Sequence, residues 1–456
     1  MILGVFWLIK LILDFFYMFK WQDYAVGAIA IILFIYAVCC YYFNRDSLII
    51  KKSMYPTIVV LIICFALTTV NFFLNISFEA FKNYAAIVSS LLIFVSSFII
   101  SGTSKGGAKR TLEHRYNLGF FNIVFVSYSV IYIANIVSCI EGYGLHIWQG
   151  ATVMRGLYFN KSDLALFILQ YTVILLAYFS KQTRCFNTKI KVIFNTVFII
   201  NAVWLLMINT RMTVLIYFFL APILFRQIYY NSEETESIDN KWVVRKIPIC
   251  IISLIIGTIT IVIFANIANI IGRYIVFDSN KISSYYSDNS HDNDNLIHYN
   301  VQGFKLDFQN ILDANSNSKS TVALKLIKYY LNEFTIEQKI IGLDLKSVND
   351  NELYYPNTIG GCHNMYLEIL YFNGIIGIIA WGLWILYILY KLINSKSQYS
   401  LSTICMIIIM LFYGFSKQMY TESQHTWLVM ILIALFLSDE NIKDGTCDNV
   451  CIDDNT

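Results

Sequence analysis

Charged side chains and prolines are scarce in this sequence. Of its 456 residues only 14% are Asp, Glu, Lys or Arg, only four are proline, and 57% are hydrophobic. A water-soluble domain has too little interior to bury so much apolar surface, so a soluble globular protein is excluded. The apolar runs are continuous and about 20 residues long, not short and alternating, which favours membrane-spanning helices over a barrel.

The sequence also lacks the common nucleotide, cofactor and metal motifs. It contains no GxxxxGK[ST], no GxGxxG in a βαβ setting, no HExxH and no CxxC. Its ten cysteines have no framework spacing, and acidic residues such as Asp23 and Glu79 are isolated, not paired as a divalent cation would require. The net charge of +3 carries no nucleic-acid signature. We therefore expect no cofactor, no metal and no nucleic-acid partner.

Twelve apolar segments predict an all-α polytopic membrane protein. They cover roughly 1–19, 25–43, 55–76, 83–101, 117–139, 162–180, 190–208, 212–229, 247–271, 366–390, 400–417 and 424–438. The first segment has neither a basic leader nor a small-residue cleavage site, so we interpret it as a spanning helix and not as a signal peptide.

Basic residues occupy every second connection between these segments. The clusters are Arg45, Lys51 and Lys52; Lys105, Lys109, Arg110 and Arg115; Lys181, Arg184, Lys189 and Lys191; Arg226, Lys241, Arg245 and Lys246; and Lys391 and Lys396. The positive-inside rule makes this side cytoplasmic, which predicts that both termini are cytoplasmic. The abundance of Ile, Asn, Lys, Tyr and Phe is typical of an AT-rich bacterial gene, so we expect a bacterial inner (cytoplasmic) membrane.

One connection on the predicted outer side is long enough to fold. We divide the chain into helices 1–9 (1–271), a large outer, periplasmic loop (272–365), helices 10–12 (366–438) and a cytoplasmic tail (439–456). The first half of the loop is polar. In its second half, apolar side chains recur every fourth position, at Val322, Leu326, Tyr330 and Phe334, which predicts a helix that Ser320 or Thr321 could cap.

Arg211 is the first candidate for a functional residue. It lies in INTRMTV, 208–214, a very short turn between two apolar runs on the predicted outer side. A guanidinium close to hydrocarbon is costly, and its planar five-donor fork suits phosphate oxygens. Alternatively, Arg211 marks a helix end and extends to water.

His363 and Asn364 stand where the long loop meets the tenth segment. A neutral imidazole accepts a proton near neutral pH, and a helix N-terminus disfavours its charged form, so His363 is a candidate general base. Asn364 could orient it or bind a sugar hydroxyl. Alternatively, the histidine caps the helix at the lipid interface.

Cations of the long loop are candidates for binding an anionic headgroup. Arg273, the only arginine of the loop, directly follows a helix, and Lys319, Lys325 and Lys328 belong to the predicted loop helix. The alternatives are a membrane-surface anchor for Arg273 and a solvated helix face for the lysines.

Four features resemble the O-antigen ligase and polymerase superfamily of multi-spanning glycosyltransferases. CHNMYLEILYFNGIIG, 362–377, resembles the segment in which His-Asn precedes Tyr-Leu and a Gly-Ile-Ile-Gly helix. IIGLDLKS, 340–347, resembles a stretch upstream of it, and INTRMTV resembles the segment with the outer arginine. The long loop before the last helices is the fourth feature. The motifs cover about 200–390, while the first half of the chain matches only in helix count.

The resemblance implies a GT-C-like fold and a metal-independent glycosyltransferase on the outer face of the inner membrane. Its donor and acceptor would be oligosaccharides linked to undecaprenyl diphosphate, and a chain-length regulator is a further possible partner. His363 would activate the acceptor hydroxyl, while Arg211 and loop cations would hold the diphosphate. The long, idiosyncratic loop favours an O-antigen (surface polysaccharide) polymerase. The alternatives are an O-antigen ligase that transfers glycan to lipid A-core, and a lipid-linked glycan flippase or transporter.

The chain departs from the family pattern at its cations. Thr210 and Met212 replace the small residues that commonly flank the family's arginine. Where the family often has a second loop arginine, this chain offers Lys319 or Lys325, which are point charges and not bidentate forks. Arg155, in the medium outer loop, lacks the spaced glycine of the loop motifs in some polymerases.

Overall fold

The structure is a computed structural model built almost entirely of helices. It describes residues 2–14, 21–43, 54–74, 76–103, 113–141, 145–148, 151–158, 161–182, 188–208, 210–230, 241–272, 319–342, 364–395, 397, 399–417, 419–420 and 423–448. The helices are α1 (Ile2–Asp14), α2 (Trp21–Phe43), α3 (Tyr55–Leu74), α4 (Phe78–Thr103), α5 (Glu113–Ile140), α6 (Lys161–Gln182), α7 (Thr188–Ile208), α8 (Arg211–Tyr230), α9 (Lys241–Arg245), α10 (Ile247–Gly272), α11 (Lys319–Glu333), α12 (Ile336–Ile341), α13 (Met365–Asn394), α14 (Ser400–Tyr413) and α15 (Ser423–Asp448).

Eight of the described helices are long and apolar enough to cross a membrane. They are the seven consecutive helices α2 to α8, together with α13. Helices α10, α14 and α15 contain shorter apolar stretches. A hydrocarbon core of about 30 Å needs about 20 helical residues, which these eight helices supply. The predicted class, a helical multi-pass membrane protein, is therefore confirmed. Each of the twelve predicted segments corresponds to a helix, but the crossing of all twelve stays a prediction.

The helices form two compact units. In the first unit, α4 packs against both α2 and α15, α3 packs against α13, and α1 contacts α2 and α15. The first unit also contains α11, α12 and α14. The second unit contains most of α5 together with α6, α7, α8 and α10, and α8 packs against α10.

A buried ion pair lies in the first helix. The Lys10 ammonium donates to the Asp14 carboxylate at 2.7 Å, one helical turn away, and lies 5.0 Å from the centroid of the Trp7 ring. Both charged side chains are buried. Two charges inside an apolar bundle are tolerable only as a pair, which explains how this short helix accommodates them.

The second unit carries a short hairpin that the sequence did not predict. Strands β1 (Leu145–Trp148) and β2 (Ala151–Met154) pair antiparallel, with Leu145 opposite Met154, and β2 packs against α7. Inside the unit, the Asn201 amide donates to the Thr172 hydroxyl at 2.9 Å and accepts a hydrogen bond from the Tyr132 hydroxyl. These bonds satisfy polar groups that have no water partner at this depth.

The segment predicted as a single tenth helix is a helical hairpin. Gly374 has φ 64° and ψ −165°, a conformation essentially restricted to glycine, and it divides α13 into limbs 365–373 and 375–394. The ring centroids of Tyr366 and Trp381 are 6.1 Å apart, whereas a continuous helix would separate these residues by about 22 Å along its axis. The first limb therefore folds back along the second. It is about 13 Å long and cannot cross a bilayer, whereas the second limb can.

Helices α11 and α12 cover the tip of this hairpin. Leu326, Tyr330 and Phe334 are buried, which confirms the predicted apolar side of α11. The Tyr371 hydroxyl donates to the Leu326 carbonyl at 2.7 Å, and the Tyr330 hydroxyl donates to the Lys339 carbonyl at 2.6 Å.

The predicted caps of α11 are wrong, because Ser320 and Thr321 lie inside a helix that begins at Lys319. It is Thr335 that caps, in a capping box with Gln338 at the start of α12. The backbone N–H of Glu337 itself, followed by the Thr335 hydroxyl, holds the pKa of the exposed Glu337 carboxylate below its ordinary value.

Candidate functional site

Arg211 is the first residue of α8. The connection from α7 is only two residues long, and the Val214 N–H donates to the Thr210 carbonyl at 3.2 Å, which closes the first turn. The Thr213 hydroxyl donates to the same carbonyl at 2.7 Å and also bonds the Thr210 hydroxyl. The Arg211 side chain is exposed. A rigid turn therefore presents the guanidinium at one end of the second unit.

A second cation, Lys161, lies at the same end of the second unit as Arg211. Lys161 begins α6, and because short connections make α7 antiparallel to both α6 and α8, these two helices begin at the same end. The Arg211 charge acts electrostatically on the partly buried Lys161 ammonium. Two like charges within electrostatic range repel each other, and a bound anion reduces that repulsion. This end of the unit is therefore suited to bind an anionic group.

A turn that carries Arg155 precedes Lys161. Gly156 has φ 59°, and a Cβ there would collide with the Asn135 side chain. The Asn135 amide oxygen accepts from the Leu157 N–H at 2.8 Å, and its amide nitrogen donates to the Ile131 carbonyl at 2.8 Å. The buried Asn135 thus fixes the turn to α5. Arg155 is only partly exposed and lies shortly before Lys161 in the chain.

The first unit places Asn364 at the N-terminus of the folded-back limb. Its amide oxygen accepts hydrogen bonds from the backbone N–H groups of Tyr366 at 3.0 Å and Leu367 at 3.1 Å. The Asn364 oxygen is thus engaged in capping, the role that the alternative interpretation gave to His363. The Met365 N–H donates to the Gly414 carbonyl at 2.8 Å, so the limb begins beside the end of α14. Asn364 lies about 15 Å along the limb from the tip at Gly374.

A polar cluster follows Asn364 along the limb. Glu368 is fully buried, and its carboxylate accepts from the Tyr420 N–H at 3.1 Å. The Tyr420 hydroxyl lies 3.4 Å from the Asn373 amide oxygen, and the Asn373 amide donates to the Thr68 hydroxyl at 3.1 Å. These bonds tie the limb to α3 and to the segment around Tyr420, and so hold the region behind Asn364 in place.

The predicted site residues do not all fall in the described structure. His363 and Arg273 lie outside the described residues. Lys319 and Lys325 belong to α11, the predicted helix, but their side chains are outside the description. Arg211 and Asn364 are described, in different units.

The structure brings Arg211 together with Lys161, which sequence analysis missed. A signal was present: Lys161 is a cation on the predicted outer side, at the edge of an apolar segment, as Arg211 is. Glu368 was also missed, although it is an acidic residue within the first turn of an apolar helix.

No metal cluster is found in the part of the chain that the structure describes, and the cavity in the first unit is small. Its residues contain no group of three or more His, Cys, Asp or Glu side chains that could hold a metal ion. A mostly apolar cavity of about 30 Å³ is lined by Cys64, Met365, Trp384 and Tyr420, among others. That volume holds about one water molecule, so this cavity is too small for a glycan or a prenyl chain.

The chain matches no protein-family model, and no curated protein matches it.

Proposed function

We propose that this protein is a membrane glycosyltransferase that joins undecaprenyl-diphosphate-linked oligosaccharide repeat units into a surface polysaccharide. The observation that carries the proposal is a pair of cations, Lys161 and Arg211, that begin two helices at the same, predicted outer end of the second unit, within electrostatic range of each other. The resemblance of 208–214 and 362–377 to the O-antigen ligase and polymerase superfamily supplies the reaction type.

The two cations suit a diphosphate leaving group. As the bond between sugar and diphosphate breaks, negative charge grows on the departing oxygen, and fixed cations stabilise that charge without a metal. Arg211 supplies a planar fork for two phosphate oxygens, whereas Lys161 supplies a point charge. Partial burial of Lys161 strengthens its electrostatic interaction with a phosphate, because less water screens it.

On the acceptor side, the proposal gives His363 the role of general base. His363 would remove the proton from the acceptor hydroxyl as that oxygen attacks the anomeric carbon of the donor sugar. Asn364, the residue after His363, is fixed by its bonds to the Tyr366 and Leu367 N–H groups, and the bond between the buried Glu368 and the Tyr420 N–H holds the limb behind it. Transfer to lipid A-core, the ligase reaction, uses the same groups with a different acceptor and is the alternative within this proposal.

A transporter or flippase of lipid-linked glycans is a second candidate function. The folded-back limb 365–373 favours it, because helices broken at membrane depth form the binding sites of many secondary transporters. The hydrogen bond between Asn201 and Thr172, within spanning helices, also favours a transporter. A transporter would move the lipid-linked unit across the membrane without making a glycosidic bond.

The membrane topology is part of the proposal. Twelve spans, a GT-C-like arrangement, and both termini in the cytoplasm of a bacterium would place Lys161 and Arg211 in the periplasm. Reporter fusions after Lys52, Gly144, Asn187 and Asn394 test this. A periplasm-active reporter is expected to work only after Gly144, and activity after Asn187 would contradict the topology.

The first experiment separates the three candidate functions by their glycan products. Cells that lack the gene are complemented with the wild type or with the His363→Ala variant, and surface glycans are separated on a gel. In cells that lack the gene, a single repeat unit on lipid A-core without a ladder indicates a polymerase. Loss of all glycan from lipid A-core, with long chains left on the prenyl carrier, indicates a ligase. A ladder that is unchanged in cells lacking the gene overturns both the polymerase and the ligase, and leaves the transporter as the candidate function.

A further inference from the structure

An exposed apolar side runs along α11 and continues onto α12. In α11, the side chains of Leu324, Ile327 and Leu331 are 49%, 39% and 58% exposed. In α12, Ile336 and Ile340 are 71% and 43% exposed. Both helices belong to the connection that sequence analysis assigned to the aqueous periplasm, where five exposed aliphatic side chains would be costly.

The side chains around α11 sort into three sectors. Successive helical residues are 100° apart, so Leu326 and Tyr330 form one sector, which packs against the rest of the first unit. Ile327 and Leu331 occupy the adjoining sector, and Lys328 with Asn332 occupies the next; side chains in both of these are exposed. One side thus faces protein, one is apolar and open, and one is polar and open. This is the distribution of a helix that lies at a membrane surface.

The depth of these helices agrees with such a position. The inner side of α11 packs with Ala80 and Ile87, which lie within the first three turns of a candidate membrane span. At the tip of α13, the Phe372 carbonyl accepts from the Asn71 amide at 2.8 Å, one turn from the end of α3. Because α12 lies on that tip, α11 and α12 are level with the ends of spanning helices.

The apolar side adjoins surface that already faces lipid. Ile340 of α12 contacts Gly374, and the next two residues, Ile375 and Ile376, are 45% and 40% exposed at the start of the spanning limb. At the end of α3, Phe73 is 66% exposed. The lipid-facing surface of the spanning helices therefore extends outward onto α12 without a polar break at Gly374.

We propose that α11 and α12 lie in the membrane interface on the predicted outer side, with Leu324, Ile327, Leu331, Ile336 and Ile340 in contact with lipid chains. Lys328 then lies at the level of the lipid headgroups, where an anionic headgroup complements its charge. The exposed Glu337 then faces water. The occupant of the apolar side is the outer leaflet itself, and this assignment does not depend on the catalytic function proposed above.

Site-directed spin labelling of the full chain in lipid vesicles tests this position. Single cysteines replace Ile327, Leu331, Lys328 or Asn332 in a chain whose ten native cysteines are serine. Leu331→Cys and Asn332→Cys are the matched pair, because the residues are adjacent in sequence and lie in different sectors. Ile379→Cys on the spanning limb gives the lipid reference, and Glu337→Cys gives the water reference. Collision rates with oxygen, which partitions into lipid, and with a water-soluble nickel chelate are measured at each site.

The labels at Ile327 and Leu331 are expected to collide mainly with oxygen, as at Ile379, and those at Lys328 and Asn332 mainly with nickel. Nickel access at Ile327 and Leu331 equal to that at Glu337 would overturn the proposal. Immobilised labels at both sites, with little access for either reagent, would also overturn it, because protein or a second copy of the chain would then cover this side. Only labelled variants that elute as a single species enter the comparison.

Discussion

Gly342, which ends α12, and Gly374, at the tip of α13, lie directly against each other. Both have positive φ, 92° and 64°. A Cβ on Gly374 would be 2.6 Å from the Gly342 nitrogen, and one on Gly342 would be 2.7 Å from the Asn373 nitrogen. No side chain fits between the two backbones, so this pair of glycines sets how closely the outer helices pack on the hairpin.

Replacement of Gly374 by alanine is expected to separate α12 from α13. The substitution combines a backbone conformation that costs a non-glycine residue about 1–3 kcal/mol with a collision against the Ile340 carbonyl. Thermal unfolding in detergent should shift downward, and proteolysis within 319–342 should become faster. Gly382→Ala is the matched control, because a Cβ there meets nothing within 4 Å and alanine favours a helix. An equal effect of the two substitutions would contradict the packing role of Gly374.

Substitution of either Arg211 or Lys161, the two cations at the end of the second unit, is expected to lower the rate of glycan transfer. Arg211→Lys keeps the charge and loses the fork, while Lys161→Met keeps the length and loses the charge. We expect each to reduce kcat/KM at least about tenfold, which corresponds to about 1.4 kcal/mol of transition-state stabilisation. The measurement is transfer by the purified chain with a lipid-diphosphate glycan donor.

Arg245→Lys is the control for this pair, because Arg245 is exposed at the opposite, predicted cytoplasmic end. Full activity of Arg211→Lys would show that a bidentate contact is not needed. Full activity of Lys161→Met would remove Lys161 from the proposed anion site.

His363→Ala is expected to abolish transfer while the protein still folds and inserts. A removed general base typically costs a factor of about 100 to 10,000 in rate. His146→Ala is the control, because His146 also lies on the predicted outer side, in β1. Elution as a single species and an unchanged melting temperature would exclude misfolding. Normal polymer from His363→Ala would remove this residue from catalysis.

The cap of the folded-back limb predicts a graded series at Asn364. Asn364→Ala leaves the N–H groups of Tyr366 and Leu367 without their acceptor and should destabilise the protein by about 0.5–2 kcal/mol. Asn364→Ser and Asn364→Asp supply another cap and should retain most of the stability. Unfolding midpoints at a fixed lipid-to-detergent ratio measure this. Activity that is lost in all three variants at normal stability would instead indicate direct substrate contact.

The ion pair of α1 predicts a non-additive double-mutant cycle. Asp14→Asn leaves the Lys10 ammonium buried without its counter-charge, which typically costs about 3–5 kcal/mol. The double substitution Lys10→Met with Asp14→Asn removes both charges and should restore most of the stability that the single Asp14→Asn loses. Unfolding midpoints of the two singles and the double give the coupling. Additive effects would show that the two charges do not support each other.

The helices were predictable because their signal is local. Each apolar run must satisfy its backbone hydrogen bonds within itself in lipid, so composition and length suffice to find α2–α8 and α13. The buried side of α11 was also predictable, because Leu326, Tyr330 and Phe334 repeat with helical periodicity. Arg211 was detected for the same kind of reason, as a charge beside a very short turn between two apolar runs.

The fold-back at Gly374 was not predictable in the same way. The run from Met365 to Asn394 has the hydropathy of one long helix, and a single glycine in such a run usually remains helical. Two contacts from other helices break it. Gly342 of α12 leaves room for the turned backbone at Gly374, and the Asn71 amide of α3 donates a hydrogen bond to the Phe372 carbonyl. Contacts between residues some 300 positions apart leave no local trace in sequence.

The sequence by itself determined that this protein is a helical multi-pass membrane protein, and it singled out Arg211 and the His363–Asn364 segment. The tertiary structure alone decided that Lys161 lies at the same end of the second unit as Arg211, that Asn364 caps a limb too short to cross the membrane, and that α11 has three sectors. The physical reason is the range of the forces. The need to bury apolar surface and close backbone hydrogen bonds acts on each segment separately, whereas pairing of charges and close packing of glycines depend on which segments meet.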